Sequence, residues 1–226
     1  MNRYIIYALS VLLSVISLCS CDEHDPLDLD IHSSYILLSD GRIIDSQEFD
    51  KSVHTPVAVV FAEQTETHPV LAVMLDELPS VQFSEILGFD QKTSGSLTDF
   101  DGYVNTVALQ TTTVTVDSIE RGSPLGRTAF YSHYFSQSDY VPSVREMELL
   151  YKELYRVNPV ISMCGGTPVS TTPDGAGCWY WTSTEVAENK PNQAWLFSMA
   201  DGSHHRTPKT NHYRARLIVE YNPWKE

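Results

Sequence analysis

Positive charge is scarce in this sequence. Its 15 Lys and Arg stand against 29 Asp and Glu, a formal net charge of −14. A chain that acidic repels phosphate backbones and anionic headgroups, which sets aside nucleic acid and anionic lipid as partners. Cysteine is sparse too, with four residues in 226 and no Cys-x-x-Cys pair to mark a zinc or redox motif. No apolar run after the first 18 residues approaches the roughly 20 residues that a membrane-spanning helix needs. A Gly-x-Ser-x-Gly elbow, a phosphate-binding loop, a His-Glu-x-x-His pair and a dinucleotide fingerprint are all missing, so the common enzyme classes that carry them are excluded. The expectation is a non-enzymatic protein with no cofactor and no metal. No internal repeat is present.

What the sequence does have begins at its N-terminus. Arg3 precedes an apolar run over residues 4–18, interrupted only by Ser10, Ser14 and Ser17. At about 1.5 Å per residue this run falls short of the roughly 30 Å hydrocarbon core, so it reads as the export signal of residues 1–20 and not as a permanent span. Leu18-Cys19-Ser20-Cys21 resembles the lipobox of bacterial lipoproteins, which implies cleavage before Cys21 and acylation of that cysteine with palmitate-type chains. Asp22-Glu23-His24-Asp25 is similar to the surface-export signal of Bacteroidota lipoproteins. Residues 21–34 then form a polar tether. The expected address is the outer membrane, held by the N-terminal lipid and facing the exterior; at about 0.8 kcal/mol per buried CH₂, multiple chains make the anchor essentially permanent.

With Cys19 lost and Cys21 acylated, Cys164 and Cys178 remain. In an oxidising envelope they are a disulfide candidate that would contribute about 3 kcal/mol, with two free buried thiols as the alternative.

Residues 35–222 read as one domain. Residues 35–38 form a short strand closed by Ser39-Asp40-Gly41. The apolar runs 55–61 and 70–75 form a hairpin of buried strands. Residues 93–102 read as a loop, and 105–119 fit strand and loop equally. Within them Asp117-Ser118-Ile119 matches a short O-glycosylation acceptor pattern of Bacteroidota and, more simply, an ordinary surface turn. Ser143-Val144-Arg145-Glu146 is a capping box, and Val144, Met147, Leu150, Tyr151 and Leu154 recur at helical spacing behind it. Asn158-Pro159 ends this helix, a second short helix runs from Pro159 to Met163, and Gly165-Gly166 stops it. Strands follow at 178–184, 193–199 and 213–221.

This order of features resembles the DUF1566-type proteins. Ser39-Asp40-Gly41, Thr55 to Phe61, Leu71-Ala72-Val73 and Asp101-Gly102-Tyr103-Val104-Asn105-Thr106 are similar to its first half. Val141-Pro142-Ser143, Gly165-Gly166-Thr167-Pro168, Tyr180-Trp181-Thr182-Ser183-Thr184-Glu185, Ala194-Trp195 and Arg214-Ala215-Arg216 are similar to its second. The resemblance implies an α+β fold, a C-type-lectin-like domain of antiparallel strands with two helices, related to the formylglycine-generating-enzyme fold. It brings no catalytic residues, and Cys164 and Cys178 do not reproduce the cysteine spacing of those enzymes.

Two groups of residues carry the expected chemistry. Trp179, Trp181 and Trp195 offer rings for sugars or, as the heavier alternative, fill the core; Trp224 covers a core edge. The segment 200–212, read as a loop, brings together His204, His205, Arg206, Lys209, Asn211 and His212 as the tentative ligand contacts. The function that follows is a cell-surface binding or adhesion module for a glycan or protein. The alternative is a structural or assembly subunit of a surface complex or fimbria, and an enzyme of the formylglycine-generating type stands third.

Overall fold

The computed structural model describes residues 31–129, 133–134, 137–173 and 177–221. The signal peptide, Cys21, the tether up to residue 30 and Trp224 lie outside the described residues. Residues 31–34, read from sequence as tether, are held to the domain: Ser34 N donates to Val60 O at 2.8 Å and Ser33 Oγ to Glu153 Oε2 at 2.9 Å.

Two five-stranded sheets and three helices make up the described fold, with β-strands numbered in chain order. The first sheet has the order β14 (Ile218–Tyr221), β4 (Val70–Met74), β3 (Pro56–Ala62), β1 (Ile36–Leu38), β2 (Ile43–Ile44), with every pair antiparallel. The second has the order β12 (His204–Pro208), β11 (Gln193–Ser198), β10 (Trp179–Glu185), β13 (His212–Ala215), β5 (Leu78–Gln82); only β10 and β13 run parallel. Two small hairpins, β6 (Val114–Val116) with β7 (Ile119–Arg121) and β8 (His133–Tyr134) with β9 (Gln137–Ser138), stand apart. The helices are α1 (Gly102–Thr111), α2 (Pro124–Thr128) and α3 (Val144–Cys164). The α+β, mainly antiparallel expectation holds.

Helix α3 organises the core. Its capping box closes from both sides, Ser143 N donating to Glu146 Oε2 at 2.6 Å and Glu146 N to Ser143 Oγ at 3.4 Å, and Gly165 ends it in the left-handed region at φ 86°. Met147, Leu150, Leu154, Val157 and Ile161 pack against Val59, Phe61 and Val73 of the first sheet and against Tyr180 and Phe197 of the second. The sequence expectation of a break at Asn158-Pro159 is corrected: one helix of 21 residues runs through Pro159. The carbonyl that Pro159 leaves without its helical donor belongs to Tyr155, an exposed residue. Asn158 meanwhile fastens the helix to the following loop, its side chain bonding both N and O of Val169 at 2.9 Å. The second helix of the sequence reading is therefore the end of α3.

The opposite face of the second sheet carries another core. Trp181, Leu196 and Ala215 meet Phe83, Leu109 of α1 and Leu125 of α2. Strand alternation puts Tyr180 into one core and Trp181 into the other. A third cluster, Leu37, Ala58, Val60, Val70, Ala72 and Val219, occupies the first sheet's other face.

The last sequence-expected strand, 213–221, is two strands in different sheets. Residues 212–221 and 70–82 run antiparallel as one bent ribbon, with Tyr213 opposite Val81 in the second sheet and Val219 opposite Ala72 in the first. Arg216 sits at the bend, fully buried, donating from Nη2 to Leu75 O at 2.8 Å.

Candidate functional site

Strand β10 is the middle of the second sheet, and its side chains hold the fold together. Tyr180 donates its hydroxyl to Glu77 Oε2 at 2.6 Å and accepts Ser170 N at 2.9 Å; burial and the Glu77 carboxylate push its pKa up to about 12. Trp181 Nε1 donates to Val81 O at 2.8 Å, and Thr182 Oγ1 to Trp195 O at 2.9 Å. Glu185 accepts from Gln91 N at 2.8 Å, Thr93 N at 3.1 Å, Thr93 Oγ1 at 3.0 Å and Lys209 Nζ at 2.5 Å. Every side chain from Tyr180 to Glu185 is buried. The most specific piece of the sequence pattern is thus architectural: it ties the 77–93 segment, α3 and β11 to one strand.

Residues 204–208 and 212–215 are strands, which corrects the reading of 200–212 as one loop. Lys209 is also corrected as a ligand contact. Its side chain has no exposed surface; it pairs with Glu185, donates to Phe89 O at 2.6 Å and lies over the Phe83 ring at 5.5 Å. Desolvation lowers its pKa while the Glu185 carboxylate opposes that shift. Asn211 is exposed but braces its own turn through Thr207 Oγ1 at 2.8 Å.

His204, His205, Arg206 and His212 are exposed. Ser198 N donates to Ser203 O and Lys209 N to Asn192 O, so residues 203, 205, 207 and 209 face β11 and residues 204, 206 and 208 turn their backbone groups outward along this edge strand. Pro208 has no N–H to offer there, and the charged neighbours blunt the edge further. His204 and Arg206 cover Trp195, the imidazole edge-on at 5.0 Å and the guanidinium over the indole at 5.0 Å, leaving that ring 7 % exposed. Glu188 steadies Arg206 at 3.8 Å. His205 meets the half-buried Trp179 edge-on at 6.1 Å. Of the three tryptophans, Trp181 and Trp195 are core, and Trp179 keeps an open edge beside His205.

Cys164 and Cys178 are free thiols, so the tentative disulfide is not formed. Cys178 is buried with Sγ 3.8 Å from Ser198 Oγ, and Cys164 sits at the end of α3, where burial pushes its pKa up to about 11. Among the described residues no group of three or more His, Cys, Asp or Glu is gathered as metal ligands would be.

Sequence reading did not find the carboxylate pair around Tyr140. This buried hydroxyl lies 3.1 Å from Glu146 Oε1 and 3.4 Å from Glu220 Oε1, and burial raises Glu146 to about 7. Glu146 was legible only as a capping residue; Glu220, 74 positions away, reaches it through the first sheet.

The chain matches no protein-family model, and no curated protein matches it. Among solved structures it is similar to a fimbrial protein from Bacteroides ovatus, with a TM-score of 0.59 at 16% identity. The match covers 84% of this chain and 49% of that one, so the chain corresponds to about half the length of its structural neighbour. At that identity the two share a fold.

Proposed function

We propose that this protein is a non-enzymatic structural or assembly subunit of a surface complex of fimbrial type, lipid-anchored through Cys21. The fold likeness to a fimbrial protein carries the reading. Two further features support it. The most specific piece of the sequence pattern, Tyr180 to Glu185, and the expected ligand contact Lys209 are buried inside the fold. The signal, the lipobox-like cysteine and the acidic cluster after it give such a subunit its outer-membrane, outward-facing address. The DUF1566-type and C-type-lectin-like assignment belongs to the same proposal and rests on the order of sequence features.

Cross-linking on intact cells followed by mass spectrometry tests it. A single stoichiometric protein neighbour is expected; a protein that cross-links to nothing, or to many neighbours at low yield, refutes it. Loss of the protein from the membrane fraction on Cys21→Ala is expected, and retention there refutes the anchor.

One observation favours a second reading, a binding or adhesion module for a glycan or protein. His205 and the open edge of Trp179 lie side by side on the surface, with His204 and Arg206 on the same exposed strand. Glycan-array or pull-down hits abolished by changing His204, His205 and Arg206 to Ala would select it.

A further inference from the structure

A cavity of about 260 Å³ opens where α3 passes the loop between β3 and β4, away from β12. Leu149, Lys152, Glu153 and Arg156 face it from the helix, at the i, i+3, i+4 and i+7 spacing that places them on one side. Its remaining wall comes from Phe61, Ala62, Glu63, Thr65 and His68, with Ser33 at the rim. Partly buried Leu149 supplies most of the apolar floor, since Phe61 and Ala62 are core residues only 1 % and 8 % exposed.

The polar groups divide into those already committed and those still open. Glu153 accepts Ser33 Oγ at 2.9 Å and faces Arg156 at 3.6 Å, and Glu63 holds His32 Nδ1 at 3.1 Å. Both carboxylates have partners. His68 uses Nδ1 on Pro69 O at 2.8 Å; a carbonyl only accepts, so the proton is on Nδ1 and Nε2 is the open nitrogen. Phe100, 4.6 Å away, holds the ring in place. Lys152 makes no hydrogen bond or ion pair with the described residues, and Arg156, 3.6 Å from Glu153 and over the Tyr155 ring at 5.2 Å, keeps donors in hand. The open capacity is therefore cationic donors one helical turn apart over an apolar floor, on a protein whose net charge is −14.

We infer that this cavity is a binding site for a hexose-sized ring carrying one carboxylate, an acidic sugar. The carboxylate lies on Lys152 and Arg156, the C–H face of the ring lies on Leu149, and a hydroxyl reaches Nε2 of His68. The volume is below the roughly 300 Å³ where drug-sized pockets begin, so it takes one ring and not an oligosaccharide. A neutral sugar leaves the ammonium unmatched, and a bare carboxylate leaves the floor uncovered. The site lies apart from β12 and does not depend on whether the protein assembles into a surface complex.

The test is titration of the full-length protein in detergent with glucuronic acid, N-acetylneuraminic acid, glucose and acetate, followed by ligand-observed NMR and calorimetry. Binding of at least one of the two acids is expected, with glucose and acetate at least tenfold weaker and affinity falling as salt rises. Lys152→Met should weaken the acid at least tenfold and Lys152→Arg should restore most of it. Lys152 is exposed, so both variants should melt as the parent does. No binding by either acid, equal binding of glucose, or unchanged binding in Lys152→Met would overturn the site.

Discussion

Lys209 Nζ lies 2.5 Å from Glu185 Oε1, and neither side chain has any solvent-exposed surface. The pair joins the turn after β12 to the central strand β10, and the Glu185 carboxylate also collects the backbone of Gln91 and Thr93. Removing one partner leaves a buried charge alone, which costs about 3–5 kcal/mol, whereas replacing both is far milder. Lys209→Met is therefore expected to lower the melting temperature steeply, and Lys209→Met with Glu185→Gln to recover a large part of the loss. A double variant no more stable than the single would mean that the loss comes from packing around the lysine stem and not from an orphaned carboxylate.

Glu146 makes stability depend on pH in the opposite sense from a salt-bridged carboxylate. Its folded pKa, about 7, is above the ordinary 4.5 because burial penalises the charged form. The native state then holds the proton more tightly than the unfolded chain. The contribution is fully present below about pH 4.5, declines as pH rises towards 7 and is lost above it, a swing on the order of 3 kcal/mol. Glu146→Gln keeps an acceptor for Ser143 N without the charge. The variant should match the parent at pH 5 and exceed it at pH 8 in paired melts; an identical offset at both values would show that Glu146 titrates normally.

The free thiols predict a labelling pattern. Without reductant, the denatured protein should take up alkylating agent at both Cys164 and Cys178. In the native state Cys164, held up to about 11, should react slowly at pH 8 and faster as pH rises, while Cys178 stays protected. An intact mass two protons lighter, with no uptake after denaturation, would restore the disulfide.

Gly102 opens α1 against the start of α3. A Cβ there would sit 2.8 Å from Ser143 N and 2.8 Å from the Tyr140 ring, so Gly102→Ala should cost about 1–3 kcal/mol through backbone displacement. Urea denaturation measures it; a loss under about 0.5 kcal/mol, the scale of a neutral surface change, would mean the junction has room.

This junction also explains where sequence reading stopped. Helix α3 was legible because its apolar residues and capping box lie in one window. Helix α1 was not, although its buried positions, 102, 105, 106 and 109, have helical spacing, because they are Gly, Asn, Thr and Leu. Asn105 bonds Ser94 N and Asp101 Oδ1, and Thr106 Oγ1 accepts Val141 N. The helix is buried through hydrogen bonds to distant segments, which leaves no hydrophobic period to read. Lys209 was misread for a related reason: among histidines and an arginine it looks solvated, and its partner is 24 residues earlier, in a segment that reads as core. Tyr180 and Trp181, by contrast, follow the period of two of a strand, and it places them in opposite cores.

The ribbon formed by residues 70–82 and 212–221 has a consequence in time. Strand β14 completes the first sheet beside β4, and β13 links β5 to β10 in the second. Both sheets therefore wait for the same ten residues, which follow every other described strand along the chain. Until they are in place, the hairpin of β3 and β4 has an open edge and β5 has no neighbour, so neither core can close early. Closure of both sheets is then one event, set by the connectivity of the chain and not by either sheet alone.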